Sequence, residues 1–404
     1  MHQTWRWFGP DDRVGLRDIR QAGAAGVVTA LYHVPPGRVW TPDAIRRRQD
    51  EVRRDASGVE TGLEWDVVES LPVSEAIKTA GRQRDAHIAA WIESMRNLAA
   101  AGLEVICYNF MPALDWTRTD LAASVPSGAR ALRFDLNDFA VFDIHILGRG
   151  DAVGEYPDDV GAEAARRAER LNAQDRDRLV ANVLAGLPGA VESWTLDSLK
   201  QQLRAYEQID ADVLKANLKY FLDRVVPEAE RLGLRLCCHP DDPPWPLLGL
   251  PRIMSTENDY RRLVEAVPSP ANGITFCTGS LGARRDNDLP GMMERLGSHV
   301  HFLHLRNVRR EDDRVPGSFY EDEHLSGSTD MIAVLQSVVA EEARRRAQGR
   351  DDCVIPMRPD HGQQILDDSK RRSTPGYPAV GRLKGLAELR GVSMALERIA
   401  RDRA

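Results

Sequence analysis

The chain has 404 residues, 42% hydrophobic and 28% charged, with a formal net charge of −7, the profile of a water-soluble globular protein with one large domain or two ordinary ones. Lys and Arg are interspersed with Asp and Glu rather than gathered in one basic run, which argues against nucleic acid or an anionic membrane as the main partner. No stretch approaches the roughly 18–20 apolar residues needed to span a bilayer, and the N-terminal segment has no signal pattern, so the cytoplasm is the expected compartment.

In chain order, short β-prone runs fall at 4–8, 26–31, 62–69, 103–109, 234–239, 273–278, 300–306 and 353–358, and helical patterns fill many of the gaps. Ala101-Gly102 and Leu232-Gly233 read as helix ends ahead of the fourth and fifth runs. Ala89, Ile92, Met95, Leu98 and Ala99 make one helical stripe, and Leu214, Leu218, Phe221, Leu222 and Val225 make another. Eight strands alternating with helices predict a (β/α)8 TIM barrel in the α/β class, a single domain over 1–404. An open doubly wound sheet competes less well, because no Gly-rich phosphate loop follows the first strand.

One gap breaks the repeat. About 120 residues separate Asn109 from Leu232, far more than a connecting loop needs. Helical signals at 158–172 and 175–187 make 113–208 a helical insertion after strand four. It leaves the carboxyl end of a strand, where barrel active sites form, and would serve as a lid or as an oligomer interface.

Ionisable residues collect at the ends of the last four strands, in His239-Pro240-Asp241-Asp242-Pro243-Pro244, Cys277-Thr278-Gly279-Ser280, His304-Leu305-Arg306-Asn307 and Arg358-Pro359-Asp360-His361-Gly362. Singly, each has a plain explanation: a satisfied polar His, a packed Cys, turn-making Asp-Pro pairs. Together, four neighbouring strands bring His239, Cys277, His304 and Asp360 to one rim, which is a metal-site pattern. By donor type these suit zinc or ferrous iron, and manganese less obviously. A closed four-coordinate zinc would be structural, whereas a six-coordinate ion would leave two positions for substrate. The five cysteines (Cys107, Cys237, Cys238, Cys277, Cys353) are odd in number and lack CxxC spacing, so neither a disulfide framework nor a zinc ribbon is expected. His33, His87 and His145 have no visible partner and read as structural, as does one of His299 and His301; His324 is within reach of a substrate.

These rim segments resemble the mannonate dehydratase family of bacterial hexuronate catabolism. The likeness extends to Thr4-Trp5-Arg6-Trp7, Cys107-Tyr108-Asn109-Phe110-Met111-Pro112, Asp115-Trp116-Thr117-Arg118-Thr119-Asp120, Pro375-Gly376-Tyr377 and Gly381-Arg382-Leu383-Lys384-Gly385-Leu386, and so runs through essentially the whole chain. The resemblance implies a xylose-isomerase-like barrel that converts D-mannonate to 2-dehydro-3-deoxy-D-gluconate and water. It also implies Mn2+ or Fe2+ held by His239, Cys277, His304 and Asp360, with His361 and Tyr377 as the acid/base pair. Removing the C2 proton of a 2-hydroxy acid beside an ionised carboxylate needs a divalent cation against the developing enediolate charge, a base at C2 and an acid at the 3-hydroxyl. His361, adjacent to Asp360, suits the base, and Tyr377, with an ordinary pKa near roughly 10, suits the acid. Arg306, Asn307, His324 and Arg358 are the expected substrate-binding residues. The expected partner is the small-molecule substrate alone, with a homodimer as the assembly. The rival functions are a metal-dependent sugar isomerase or epimerase and a non-catalytic sugar-acid-binding protein.

Overall fold

The computed structural model describes residues 1–55, 57–114, 116–186 and 194–403. Twelve strands are present among them: β1 (His2–Arg6), β2 (Gly26–Thr29), β3 (Trp65–Glu69), β4 (Val105–Tyr108), β5 (Asp120–Ser124), β6 (Arg130–Phe134), β7 (Arg235–Cys238), β8 (Asn272–Cys277), β9 (Val300–His304), β10 (Asn307–Arg310), β11 (Phe319–Asp322) and β12 (Pro356–Arg358). Eight of these close into a barrel in the ring order β1-β2-β3-β4-β7-β8-β9-β12, with every pair parallel. Each of the eight predicted runs contributes one barrel strand, so the TIM-barrel expectation holds.

Side chains alternate across each strand, and the barrel interior is filled by Val28, Val67, Cys107, Cys237 and Phe302. Thr275 donates to Cys107 Sγ at 3.2 Å within this plug. Cys238, one residue on, faces the outer core instead. All five thiols are free, and two of them serve as small packing groups inside the ring.

The long helix Ala211–Arg231 carries the second predicted stripe into the core, with Leu214, Leu218, Phe221, Leu222 and Val225 all buried. Asp210 caps it by accepting from the amides of Asp212 and Val213, a contribution of about 1 kcal/mol. Truncating Phe221, which packs edge-on against Trp91 and Tyr108, would cost about 3–5 kcal/mol. The first predicted stripe is offset. In the helix Arg84–Ala100 the buried face is Ile88, Trp91, Ser94, Met95 and Leu98, whereas Ala89 is exposed. The large Trp91 sets the rotation, because burying it removes more apolar area than burying small alanines.

The segment after β4 is not purely helical. It opens with the hairpin β5–β6, and β6 pairs antiparallel with β11, giving a second sheet in the order β10-β11-β6-β5. The strand-four insertion and the loop after β9 are thereby zipped together beyond the carboxyl end of the barrel. Phe134, Trp245 and Phe319 pack beneath the sheet, with Phe134 stacked on Phe319 at 5.7 Å. The insertion continues through helices Asp158–Arg170, Ala173–Leu184 and Leu196–Ala205. The first two coincide with the predicted helical signals, except that position 187 lies outside the described residues. No described helix is long and apolar enough to cross a membrane.

Candidate active site

Register places the candidate ligands side by side. Cys277 on β8 pairs with His304 on β9, and His304 pairs with Arg358 on β12. His239 follows the last residue of β7. His239, Cys277 and His304 each present one donor atom, all within 4.8 Å of one another. Asp360 Oδ2 stands 3.8 Å from Cys277 Sγ and 3.9 Å from His304 Nδ1. Asp360 adopts a left-handed backbone (φ 56°), which turns the chain sharply after Pro359 at a cost of about 1–2 kcal/mol. Hydrogen bonds from Arg306 Nε (2.6 Å) and from Arg358 Nη1 hold its carboxylate.

The protonation pattern suits a cation. His239 Nδ1 lies 2.7 Å from the Pro240 carbonyl; a carbonyl only accepts, so Nδ1 carries the proton and Nε2 the lone pair. Burial also pushes the His239 pKa down, favouring the neutral ring. His304 Nε2 faces Glu69 Oε2 at 3.3 Å, and its Nδ1 lies 3.4 Å from Arg358 Nη2, which can only donate. His239 Nε2 and His304 Nδ1 stand 3.0 Å apart. From that spacing both rings can reach one ion. Glu69 behind His304 supplies the carboxylate that such ligands use for orientation. The donor set fits a divalent metal.

A narrow cavity lies above these groups, lined by Arg6, Glu69, Tyr108, Asn109, Trp116, His239, Asp242, Arg306, Arg358, Asp360, His361 and Tyr377, among others. His361 and Tyr377 meet edge to face at 4.9 Å. His361 Nδ1 is 3.1 Å from Glu321 Oε1, which leaves Nε2 as its free nitrogen. Burial pushes the His361 pKa down and the Tyr377 phenol up. A neutral imidazole and a protonated phenol are the forms a base and an acid require.

The expected substrate-binding residues divide. Arg306 and Arg358 line the cavity, yet their donors are already engaged. Arg306 donates to Glu321 (2.6 Å), Ser280 (3.0 Å), Asp360 and Asp242. Arg358 donates to both Glu69 oxygens at 2.8 and 2.7 Å and to Asp360. Asn307 and His324 are not among the residues lining this cavity. The Asn307 amide is committed to backbone, donating to the His324 and Thr329 carbonyls and accepting from the amides of Val308 and Thr329. His324 Nε2 bonds the Pro359 carbonyl at 2.6 Å, and its ring fills the space beside Gly385. Both residues fix the loop that carries Asp360 rather than facing the cavity. His301 sits outside the barrel ring with burial pushing its pKa down to about 3, in line with a structural role.

Several residues at the site were not singled out from sequence. Glu321 is buried because it shares the inward face of β11 with Phe319, two residues away. Burial alone would raise its pKa, but Arg306, His361 and Arg118 outweigh that and hold it at about 2. Arg118 donates to Asp242 (2.7 and 3.2 Å) and Glu321 (2.9 Å), with its guanidinium between the rings of Trp116 and Phe319. Asp115, the start of that motif, lies outside the described residues. Glu69 and Arg6 end β3 and β1 at the catalytic face. Their positions at barrel-strand carboxyl ends were the available signal.

Comparison with known proteins identifies the family. The sequence profile of the family described as D-mannonate dehydratase (UxuA) matches residues 1–403. The chain is 56% identical over 396 residues to "Mannonate dehydratase 1" of Agrobacterium fabrum, covering 98% of this chain and 97% of the relative. It is 50% identical to "Mannonate dehydratase" of Marinomonas sp., covering 98% and 99%. The crystal structure of mannonate dehydratase from Streptococcus suis serotype 2 superposes with a TM-score of 0.75 at 33% identity, over 99% of this chain and 94% of that one. The chain belongs to the D-mannonate dehydratase family.

Proposed function

We propose that the protein is a metal-dependent hydro-lyase that converts D-mannonate to 2-dehydro-3-deoxy-D-gluconate and water. One observation carries the reading: two imidazole nitrogens 3.0 Å apart, with a thiol and a carboxylate beside them, adjoin a cavity lined by His239, Asp360, His361 and Tyr377. His239, Cys277, His304 and Asp360 would hold Mn2+ or Fe2+. When bound, the ion supplies Lewis acidity against the charge that develops on the substrate oxygens.

The remaining work belongs to side chains. Glu321 accepts the Nδ1 proton of His361 and so aims the Nε2 lone pair as the base for the C2 proton. Tyr377 protonates the 3-hydroxyl as the C3–O bond breaks and the C2–C3 double bond forms. Water leaves, and the enol becomes the 2-keto acid as a proton is added at C3. Segment 113–208, which brings Trp116 and Arg118 over the site, is read as its cover. The five free thiols accord with a reducing cytoplasm. A homodimer is the proposed assembly, measurable by sedimentation.

The test is to chelate the protein, add D-mannonate, and restore Mn2+, Fe2+ or Zn2+ separately. Formation of a 3-deoxy-2-keto acid with Mn2+ or Fe2+ is expected. A rearranged sugar acid, or no product with any ion, would refute the proposal.

A further inference from the structure

We propose that the Nε–Nη2 edge of Arg6 receives the substrate carboxylate, an assignment that rests on the dehydratase reading above. Arg6 ends β1, is 2% exposed and lines the cavity. Its Nη1 is anchored by Glu69 Oε1 at 3.1 Å and by the Tyr377 hydroxyl at 3.2 Å. Nε and Nη2 are buried and have no hydrogen-bond partner among the described residues. These two N–H groups lie on the same side of the guanidinium and form the planar fork that grips a carboxylate through both oxygens.

The surroundings hold that fork in place. The guanidinium lies 4.9 Å from the Phe8 ring and 5.6 Å from the Tyr377 ring. The Tyr32 phenol is also beside it, with its hydroxyl donating to the Glu69 carbonyl at 3.5 Å. Arg382 donates to the carbonyls of Arg6 (3.0 Å) and Tyr377 (3.2 Å), locking both backbones. Unpaired buried donors are costly, and a ligand oxygen would remove that cost. The other arginines on the cavity wall offer no comparable edge: Arg306 and Arg358 direct Nε, Nη1 and Nη2 at protein carboxylates. A carboxylate gripped by Arg6 keeps further lone pairs for a cation. Tyr377, which shares Nη1, would stand next to the bound acid.

The experiment measures binding of D-gluconate and of its uncharged amide, D-gluconamide, to Mn2+-loaded wild type and Arg6→Lys by calorimetry, with melting curves to verify folding. Lysine keeps the charge and removes the fork. The ratio of the two affinities should fall about 10- to 100-fold in the variant, the range for a lost hydrogen-bonded charge contact. Arg6→Gln, which retains an amide donor toward Glu69, serves as a second variant with the same expected loss. An unchanged ratio, or equal weakening of acid and amide, would overturn the assignment. Dehydration of D-mannonate by the wild type is scored separately, so the fork can fail while the dehydratase reading stands, or the reverse.

Discussion

Glu321 offers a quantitative test of the site. Its Oε1 accepts from Arg306 Nη1 (2.6 Å), Arg118 Nη2 (2.9 Å) and His361 Nδ1 (3.1 Å), while Oε2 is buried without a partner. Glu321→Gln can keep the triply bonded oxygen and place its amide nitrogen where Oε2 was, so the substitution removes charge and little else. A carboxyl group held at about 2 against an ordinary 4.5 contributes about 3 kcal/mol when ionised, at roughly 1.36 kcal/mol per tenfold. That agrees with the roughly 3–5 kcal/mol lost on breaking a buried ion pair. Unfolding entropy near 2.1 cal/mol/K per residue gives about 0.85 kcal/mol/K for a chain of this length, so Tm should fall by about 3–4 °C. The sign of the pH dependence follows from the lowered pKa. The contribution is complete above about pH 4.5 and is lost as pH falls toward 2, so the Tm gap should be constant from pH 8 to 5 and shrink below 4.5. For catalysis, Glu321→Gln leaves an acceptor at Nδ1 but no charge opposite a protonated His361, and kcat should drop about tenfold; Glu321→Ala removes the acceptor too, for about 10²- to 10³-fold. Circular-dichroism melts and initial rates with Mn2+ measure both. A Tm within 1 °C of wild type at pH 7 would refute the electrostatic reasoning, and an unchanged kcat in the alanine variant would refute the orienting role.

Other substitutions separate the remaining roles. Cys277→Ser replaces the proposed thiolate donor by a poorer hydroxyl, and Mn2+ or Fe2+ retained after dialysis, read by mass spectrometry, should fall at least tenfold. Tyr377→Phe removes the proposed proton for the leaving hydroxyl, so kcat should drop about 10²-fold or more with KM within threefold. His361→Asn should abolish exchange of the C2 hydrogen with solvent deuterium along with turnover; exchange that survives while turnover is lost would show that another group is the base. Asn307→Ala leaves four backbone partners of a buried amide unsatisfied, and Tm should fall by several degrees. A loss of substrate affinity in a fully folded Asn307→Ala protein would contradict its assignment to the loop framework.

The barrel strands are legible in sequence because each is a short apolar run ended by a helix stop or a turn. The second sheet is not. Its outer strand β5 reads Asp-Leu-Ala-Ala-Ser, with no β-branched or aromatic residue to announce it, and β6 meets β11 across nearly 190 positions of sequence, as in the pairing of Phe134 with Phe319. The same distance hides the site's hydrogen bonding. Arg306 and Arg358 sit at strand ends beside a candidate ligand, and from sequence that placement is equally compatible with substrate binding and with ligand support. Only the fold brings Glu69, Asp242 and Glu321 to them. Arg6 falls in the middle of the predicted run 4–8, and what distinguishes it is the lack of partners on one edge, which no linear pattern encodes.

The second sheet completes a charge balance that the barrel alone lacks. Barrel strands and their loops supply Arg6, Arg306 and Arg358 against Glu69, Asp242 and Asp360. β11 adds Glu321, and the segment before β5 adds Arg118, so four guanidinium groups face four carboxylates. Each carboxylate touches at least two of the arginines, which offsets the desolvation of eight buried charges far better than isolated pairs would. A divalent ion bound by one thiolate and joined by one monocarboxylic acid adds no net charge to this set, whereas an uncharged sugar in place of the acid would leave a buried positive charge. The zipped sheet therefore does more than roof the barrel: it supplies Glu321, which bonds His361 Nδ1 and completes the buried charge set.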